Sequence, residues 1–486
     1  NLTEARTALF GERPHVVVFD VGLKTTRRDI VWIRALLNQV RERFGKEIYI
    51  TLAVTSPEKF VFGGDLLFGE DESLSPSGLI DNLIITPPPG IPSVPSLEEQ
   101  LRDCLDYCVD TLGIVAGERA SLPALWEDGW VPVMCDPESR NVWMRWLPRY
   151  ARYVNENPII VGPTGSGKTR LAAAIHKLSG RTGPFVGITP RDFSSTELVQ
   201  AELFGVVAGA YTGAVDKWGL VKKAERGTLF IDELQSIDRD LQGKLITFIE
   251  NKSYRRVGEA ESHTADVRFV FATNRPLQEL VDEGALRDDF AYRLERLQIE
   301  LSPLPDRRLD IAAGACFSLA KVLRERATSR VQSRSQKTTN TTGRSASAVL
   351  SSVEGLTAGA YQLLFCASWP GNLRQLENTI AKLIELADIK NIRLIDRESA
   401  SQTMEGLLGQ SMITATDIFE RAAVDVAVKA RSEGYASLGD CLMDLSDRTR
   451  SEALELAGGD SRKAADLIRD STRAMNFFAA SRSGAF

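Results

Sequence analysis

The chain has 486 residues, 43% of them hydrophobic and 26% charged, with a formal net charge of −6. At roughly 100–200 residues per domain this length points to about three cores, and the composition is that of an ordinary soluble globular protein. The negative balance excludes a chain that is basic throughout, so any nucleic-acid contact needs a local patch. No apolar run reaches the ~18–20 residues that span a bilayer, and no charged-then-apolar leader opens the sequence. The expectation is a cytoplasmic protein without membrane contact. Six cysteines are scattered along the chain. Cys104 and Cys108 share a helix face, but no second pair or nearby His completes a metal site, which predicts reduced, structural thiols.

In chain order, "LTEARTALFGERP" has helical spacing and "HVVVFDVGL" (15–23) is a β-branched run containing Asp20. "TTRRDIVWIRALLNQVRERFG" predicts an amphipathic helix with Ile30, Ile33, Leu36, Leu37 and Val40 on one side. "EIYITLAVTS" and "DNLIITPPPG" read as two further strands, and "SLEEQLRDCLDYCVDTLG" as a helix capped by Ser96. Helices between buried strands imply a parallel sheet. The stretch 115–150 shows no readable chemistry, although "VWMRWLPRYARYV" suits a helix packed against the next domain. Strands and helices alternate again from 151 to about 310, and helices come after them. Residues 326–348 are rich in Ser, Thr and Arg. They read as a disordered insertion, or alternatively as a basic nucleic-acid-binding loop.

"GPTGSGKT" (162–169) follows the strand "PIIVG" and opens the helix "TRLAAAIHKL", the strand–loop–helix setting that a phosphate loop requires. Gly162, Pro163, Thr164, Gly165, Ser166 and Gly167 would let backbone N–H groups approach phosphate oxygens at a helix N-terminus. Lys168 would neutralise the β and γ phosphates, and the Thr169 hydroxyl would hold Mg²⁺. These features imply ATP and Mg²⁺ as ligands. "GTLFIDE" (227–233) then delivers Asp232, suited to Mg²⁺, and Glu233, suited to polarising an attacking water. "VRFVFATN" (267–274) ends in Asn274, placed to orient that water or sense the γ-phosphate.

Between the phosphate loop and the acidic strand lies "GAYTGA": Gly209, Ala210, Tyr211, Thr212, Gly213 and Ala214. Glycine at both shoulders relieves the φ restriction on a tight reversal, so these residues predict a narrow hinged finger that exposes a tyrosine. Arg287 and Arg293 in "ALRDDFAYRLE" lie six apart. Either they reach the γ-phosphate of a neighbouring subunit, or they bridge Asp288 and Asp289 on the surface.

With these residues in view, 151–390 resembles the AAA+ domain of sigma-54-dependent transcription activators (enhancer-binding proteins). "AELFGVVAGAYTGA", "LQGKLITFIENKSYRRVGE", "FATNR", "ALRDDFAYRL", "LSPLPDRRLDI" and "WPGNLRQLEN" stand in that family's order. The resemblance implies that residues 209–214 contact sigma-54 RNA polymerase, with Tyr211 and Thr212 at the tip, raised and lowered by ATP hydrolysis. It implies a homo-oligomeric ring, a hexamer, with Arg287 and Arg293 acting in trans and Arg374 sensing from the lid. Tyr211 replaces the family's usual Phe. Thr189 stands where an Asn usually restrains the catalytic Glu.

The N-terminal block resembles the later half of a response-regulator receiver, with Asp20 as phosphoacceptor candidate and Thr55 as its switch hydroxyl. The opening strand with the Mg²⁺-binding acids is absent from this sequence, and "NLIITPPP" lacks the expected Lys, so the expectation is a truncated or degenerate receiver used for docking. The C-terminal "EALELAGGDSRKAADLIRDSTRAMNFF" (452–478) resembles the family's helix-turn-helix, with Arg473 and Asn476 as candidate contacts to upstream DNA.

The expected fold class is α/β: an AAA+ P-loop domain with a helical lid, preceded by a partial flavodoxin-like receiver and followed by a helical helix-turn-helix domain. The expected boundaries are receiver 1–114, linker 115–135, ATPase 136–310, lid 311–400 and DNA-binding domain 411–486. The expected function is ATP-driven activation of sigma-54 polymerase from upstream DNA. Two rivals stay open at this point: the same motor with another client, and a DNA- or partner-binding regulator with an inactive ATPase.

Overall fold

The computed structural model describes residues 2–12, 14–45, 47–68, 77–88, 94–110, 135–335, 353–408 and 444–451. The chain divides into two compact units, 1–405 and 406–486.

The first unit opens with a three-stranded parallel sheet, β1 (Val16–Val21), β2 (Tyr49–Val54) and β3 (Asn82–Ile85), in that spatial order. The helix Arg27–Phe44 connects β1 to β2. Thr26 and Asp29 form a capping box at its start, and Ile30, Ile33, Leu36, Leu37 and Val40 are buried, as their spacing predicts.

A five-stranded, wholly parallel sheet follows, made of β4 (Ile159–Val161), β5 (Phe185–Ile188), β6 (Thr228–Ile231), β7 (Arg268–Thr273) and β8 (Gln298–Glu300). Its order is β8-β4-β7-β6-β5. β4, β6 and β7 are buried along their full lengths, which suits their β-branched and aromatic residues to a sheet covered on both faces. The order matters for function because β4, β7 and β6 are neighbours. The three loops that leave their C-terminal ends therefore open side by side, where parallel α/β sheets place ligands.

Arg268, 1% exposed, ties the preceding segment to this sheet. Its guanidinium donates to the carbonyls of Tyr150, Ala151, Tyr153 and Glu156 at 2.8–3.1 Å. Burial lowers its pKa to about 10. Four carbonyl acceptors hold the charge without a carboxylate in the set.

The two sheets share apolar packing. Tyr49 and Cys104 of the first block join Trp143, Leu147, Ile160, Leu171 and Val270 in one buried cluster. Cys104, Cys135, Cys316 and Cys366 are buried and take part in no disulfide.

The helix Leu309–Ser335 comes after this sheet, and it corrects the expectation of disorder from residue 326. Ile311, Ala312, Ala315, Cys316, Leu319 and Ala320 give this helix an apolar face. It runs on to Ser335, with Arg326 paired to Asp388 at 2.9 Å. A helix nucleated by tertiary packing propagates through residues whose own composition signals disorder. Residues 336–352 lie outside the described residues. In the second unit the described part is 406–408 and the helical stretch 444–451. The helix-turn-helix expectation over 452–478, including Arg473 and Asn476, lies outside it.

Candidate functional site

The phosphate loop leaves β4 and enters the helix Lys168–Leu178. Two of its glycines adopt backbone angles closed to most residues, Gly165 at φ +78° and Gly167 at φ +111°. Gly165 is also required by contact, because a Cβ there would lie 2.3 Å from the Gly371 carbonyl oxygen of the lid. The lid thus sits directly on the loop. Leu373 N donates to Gly165 O at 3.1 Å. Asn372 Nδ2 donates to Thr164 O at 2.9 Å while its Oδ1 accepts from Leu304 N at 2.7 Å.

Loop and lid enclose a cavity of about 750 Å³. Thr164 to Thr169, Asp232, Glu233, Asn274 and Arg374 all line it, so sequence positions more than 200 apart meet in one cleft. Lys168 is buried, with Nζ donating to the carbonyls of Gly162 (2.8 Å) and Pro163 (3.1 Å). Burial lowers its pKa, Asp232 and Glu233 oppose that shift, and Arg374 adds to it. An anion in the cleft would relieve the repulsion.

Glu233 holds φ +53°, ψ +54°, a left-handed conformation that costs a non-glycine residue roughly 1–2 kcal/mol. Its Oε2 is buried without a hydrogen-bond partner, and Arg191 Nη1 lies 3.6 Å from it. Thr189, expected beside the catalytic Glu, lines the same cavity. The cation nearest Glu233 comes from Arg191, two residues further on. Asn274 Oδ1 accepts from Gln235 Nε2 at 3.0 Å, and Gln235 Oε1 accepts from Thr273 Oγ1 at 3.0 Å. This chain of hydrogen bonds engages the amide oxygen of Asn274, a residue that lines the cleft.

The pocket fits a magnesium nucleotide. Ser166 Oγ and Glu233 Oε2 are buried polar atoms with no hydrogen bond among the described residues. Thr169 and Asp232 offer the hard oxygen donors that Mg²⁺ takes.

Several contributors were given no role from the sequence, although Arg307 and Asp310 lie within "LSPLPDRRLDI". Arg307 Nη2 donates to Ser166 O at 2.7 Å and its Nη1 reaches Asp310 at 3.3 Å. Asp310 also accepts from the backbone N–H groups of Cys135 and Asp136 and from the Ser139 hydroxyl. This buried network ties the phosphate loop to the segment that precedes the ATPase sheet. Trp143 lines the cleft from that same segment.

The glycine-shouldered finger stands on a two-stranded antiparallel ribbon, Gly205 opposite Trp218 and Val206 opposite Lys217. Gly209 (φ +82°) and Gly213 (φ +87°) lie at its shoulders, with open space where each Cβ would project. Tyr211 is 40% exposed, and Thr212 is exposed beside it. The loop 255–262 braces the base: Val257 exchanges backbone hydrogen bonds with Gly205 and Val207, and Arg256 lies 4.3 Å over the Trp218 ring while pairing with Asp216. The tip is free and the root is fixed.

Arg287 and Arg293 are not among the residues lining the cleft. Arg287 pairs with Asp289 through two bonds of 3.0 and 2.7 Å, and Arg293 pairs with Glu250. In the N-terminal block, Thr55 Oγ1 donates to Asp20 Oδ1 at 2.6 Å, which unites the two residues singled out there.

Residues 142–300 match the Sigma-54 interaction domain, and 339–405 match the AAA+ ATPase lid domain. The chain is 34% identical over 307 residues to luminescence regulatory protein LuxO of Vibrio campbellii, covering 60% of this chain and 61% of that protein. It is 36% identical over 271 residues to the alginate biosynthesis transcriptional regulatory protein AlgB of Pseudomonas aeruginosa, covering 54% and 55%. It therefore spans less than two thirds of the length of the curated relatives it matches. Among solved structures, NtrX from Brucella abortus in complex with ADP aligns at 20% identity over 99% of this chain and 92% of that one. The TM-score of that superposition is 0.46.

Proposed function

We propose, for a chain that carries a sigma-54 interaction domain and an AAA+ ATPase lid, that it hydrolyses ATP as a ring and drives its exposed finger against sigma-54 RNA polymerase in the cytoplasm. The observation that carries this reading is a single cleft joining Lys168, Thr169, Asp232, Glu233, Asn274 and Arg374, in a chain whose Tyr211–Thr212 tip stays exposed.

The chemistry follows from the residues. Lys168 and the loop N–H groups neutralise phosphate, while Thr169 and Asp232 would hold Mg²⁺, which supplies charge stabilisation when bound. Glu233 takes a proton from the water whose oxygen attacks the γ-phosphorus, and the bond to the ADP oxygen breaks. Asn274, oriented by Gln235, positions that water. Arg374 reports phosphate occupancy to the lid. In a ring, Arg287 and Arg293 exchange Asp289 and Glu250 for a neighbour's γ-phosphate, where guanidinium stabilises the charge of the transition state. The N-terminal block regulates by docking, and the C-terminal segment holds upstream DNA through Arg473 and Asn476.

Size-exclusion chromatography of the full chain with purified sigma-54 and ADP–aluminium fluoride tests the reading. It expects a nucleotide-dependent complex of ring mass. Failure to form that complex, with hydrolysis intact, would assign the motor to another client.

A further inference from the structure

The wall of the nucleotide cleft includes two residues from outside the ATPase block. Leu67 and Phe68 follow the short helix Phe60–Asp65 of the N-terminal block, and both line the cavity together with Trp143, Gly314, Phe317 and Leu376. The phosphate loop is glycine-rich and cationic, whereas these residues form an apolar and aromatic patch bordered by Arg170, Ser318, Lys321 and Glu377. That is the lining a flat purine base selects.

The contacts that hold Phe68 there are specific. Its ring centroid lies 5.1 Å from that of Phe317 on the helix Leu309–Ser335, and the Arg324 guanidinium lies 5.2 Å from the Phe68 ring. Arg324 also pairs with Asp65 at 2.9 Å, and Arg34 Nη1 donates to the Phe68 carbonyl at 2.7 Å. Gly64 permits the approach, because a Cβ there would lie 2.5 Å from Cys316 O and 2.7 Å from Ala320 Cβ. Cys316 Sγ donates to Phe60 O at 3.2 Å. The segment carrying Phe68 begins just after Thr55, the residue bonded to Asp20.

We infer that Leu67 and Phe68 form one wall of the base-binding end of the nucleotide cleft, so that nucleotide affinity depends on the N-terminal block staying docked on the helix Leu309–Ser335. The inference rests on the nucleotide-binding function proposed for the cleft. By linkage, a bound nucleotide holds the block in place as much as the block holds the nucleotide. A change at Asp20 and Thr55 that shifts this segment then alters ATP affinity within a single subunit, before any ring forms.

Calorimetric titration of the full chain with Mg-ADP and, separately, with magnesium pyrophosphate separates base from phosphate. Phe68→Ala is expected to weaken ADP about tenfold and to change pyrophosphate affinity by less than about twofold. That ADP loss corresponds to about 1.4 kcal/mol. Gly64→Ala, which pushes the segment off that helix, is expected to repeat the pattern and serves alone if Phe68→Ala does not fold. ADP affinity unchanged in both variants, or equal losses on both ligands, would overturn the inference. Lys168→Ala, expected to lose both ligands, marks the phosphate site. Were the unmodified chain to bind neither ligand, the nucleotide reading itself would fall, an outcome distinct from failure of the Phe68 test.

Discussion

Two parallel sheets in one unit end strands in carboxylates, yet their surroundings differ. At the end of β1, Asp20 is exposed and accepts one bond, from Thr55. At the end of β6, Asp232 and Glu233 face a lysine-bearing loop and an oriented Asn274, and a lid covers them. The architecture is shared: parallel strands with loops at their C-terminal ends. The chemistry comes from the side chains those loops bring, so the fold alone would have assigned both edges the same function. Backbone angles sharpen the contrast, since the phosphate-loop side stores strain at Glu233.

The comparison breaks most visibly at Glu233. Glu233→Gln should lower steady-state ATP hydrolysis about 10²–10⁴-fold, the usual worth of a general base, while ADP binding measured by calorimetry stays within about twofold. Gly165→Ala comes next. It places a side chain at φ +78° against the Gly371 carbonyl, and ADP affinity should fall about tenfold or more as loop and lid separate.

Asp136, in the segment bridging the two sheets, gives a pH-dependent effect. Burial, with Asp310 nearby, raises its carboxyl from 3.8 to about 6. The folded chain therefore binds this proton more tightly than the unfolded chain. Stability falls as pH rises across that interval and stays lower above it. Asp136, whose side chain accepts from Glu138 N, is the N-cap of the short helix Pro137–Asn141. Asp136→Asn keeps that cap and should raise Tm by a few degrees near pH 7.5, with the gain shrinking toward about pH 5, as followed by thermal unfolding. The smallest effect belongs to the other sheet. Asp20→Asn should change hydrolysis at saturating ATP by less than about twofold, because among the described residues its hydrogen-bond partner is Thr55 and not a residue of the phosphate site. A larger loss in the same assay would erase the distinction between the two edges.

Much of the phosphate-loop side was legible because its signals are local. A strand, a glycine loop, Lys168 and Thr169 occupy a few consecutive positions, and so do Asp232 and Glu233. The finger was legible through its two shoulder glycines, which take the positive φ values that a tight reversal requires. The contacts brought in by the fold were not legible, even where a residue lay in a quoted motif. Arg307 reaches Ser166 across 141 positions, and Asn372 reaches Thr164 across 208. Gln235 meets Asn274 only because β6 and β7 are neighbours. Composition misled at 326–335, where packing of the upstream turns extends the helix. Thr189 was placed beside Glu233 by analogy, whereas the charged neighbour is Arg191, whose spacing no motif encodes.

The most direct test measures hydrolysis and client remodelling in one preparation of Thr212→Ala. The finger lies outside the cleft that holds the phosphates, so ATP turnover should stay within about twofold of the unmodified chain while sigma-54-dependent promoter opening is lost. If both activities fall together, or promoter opening survives, the tip is not the element that transmits the energy of hydrolysis.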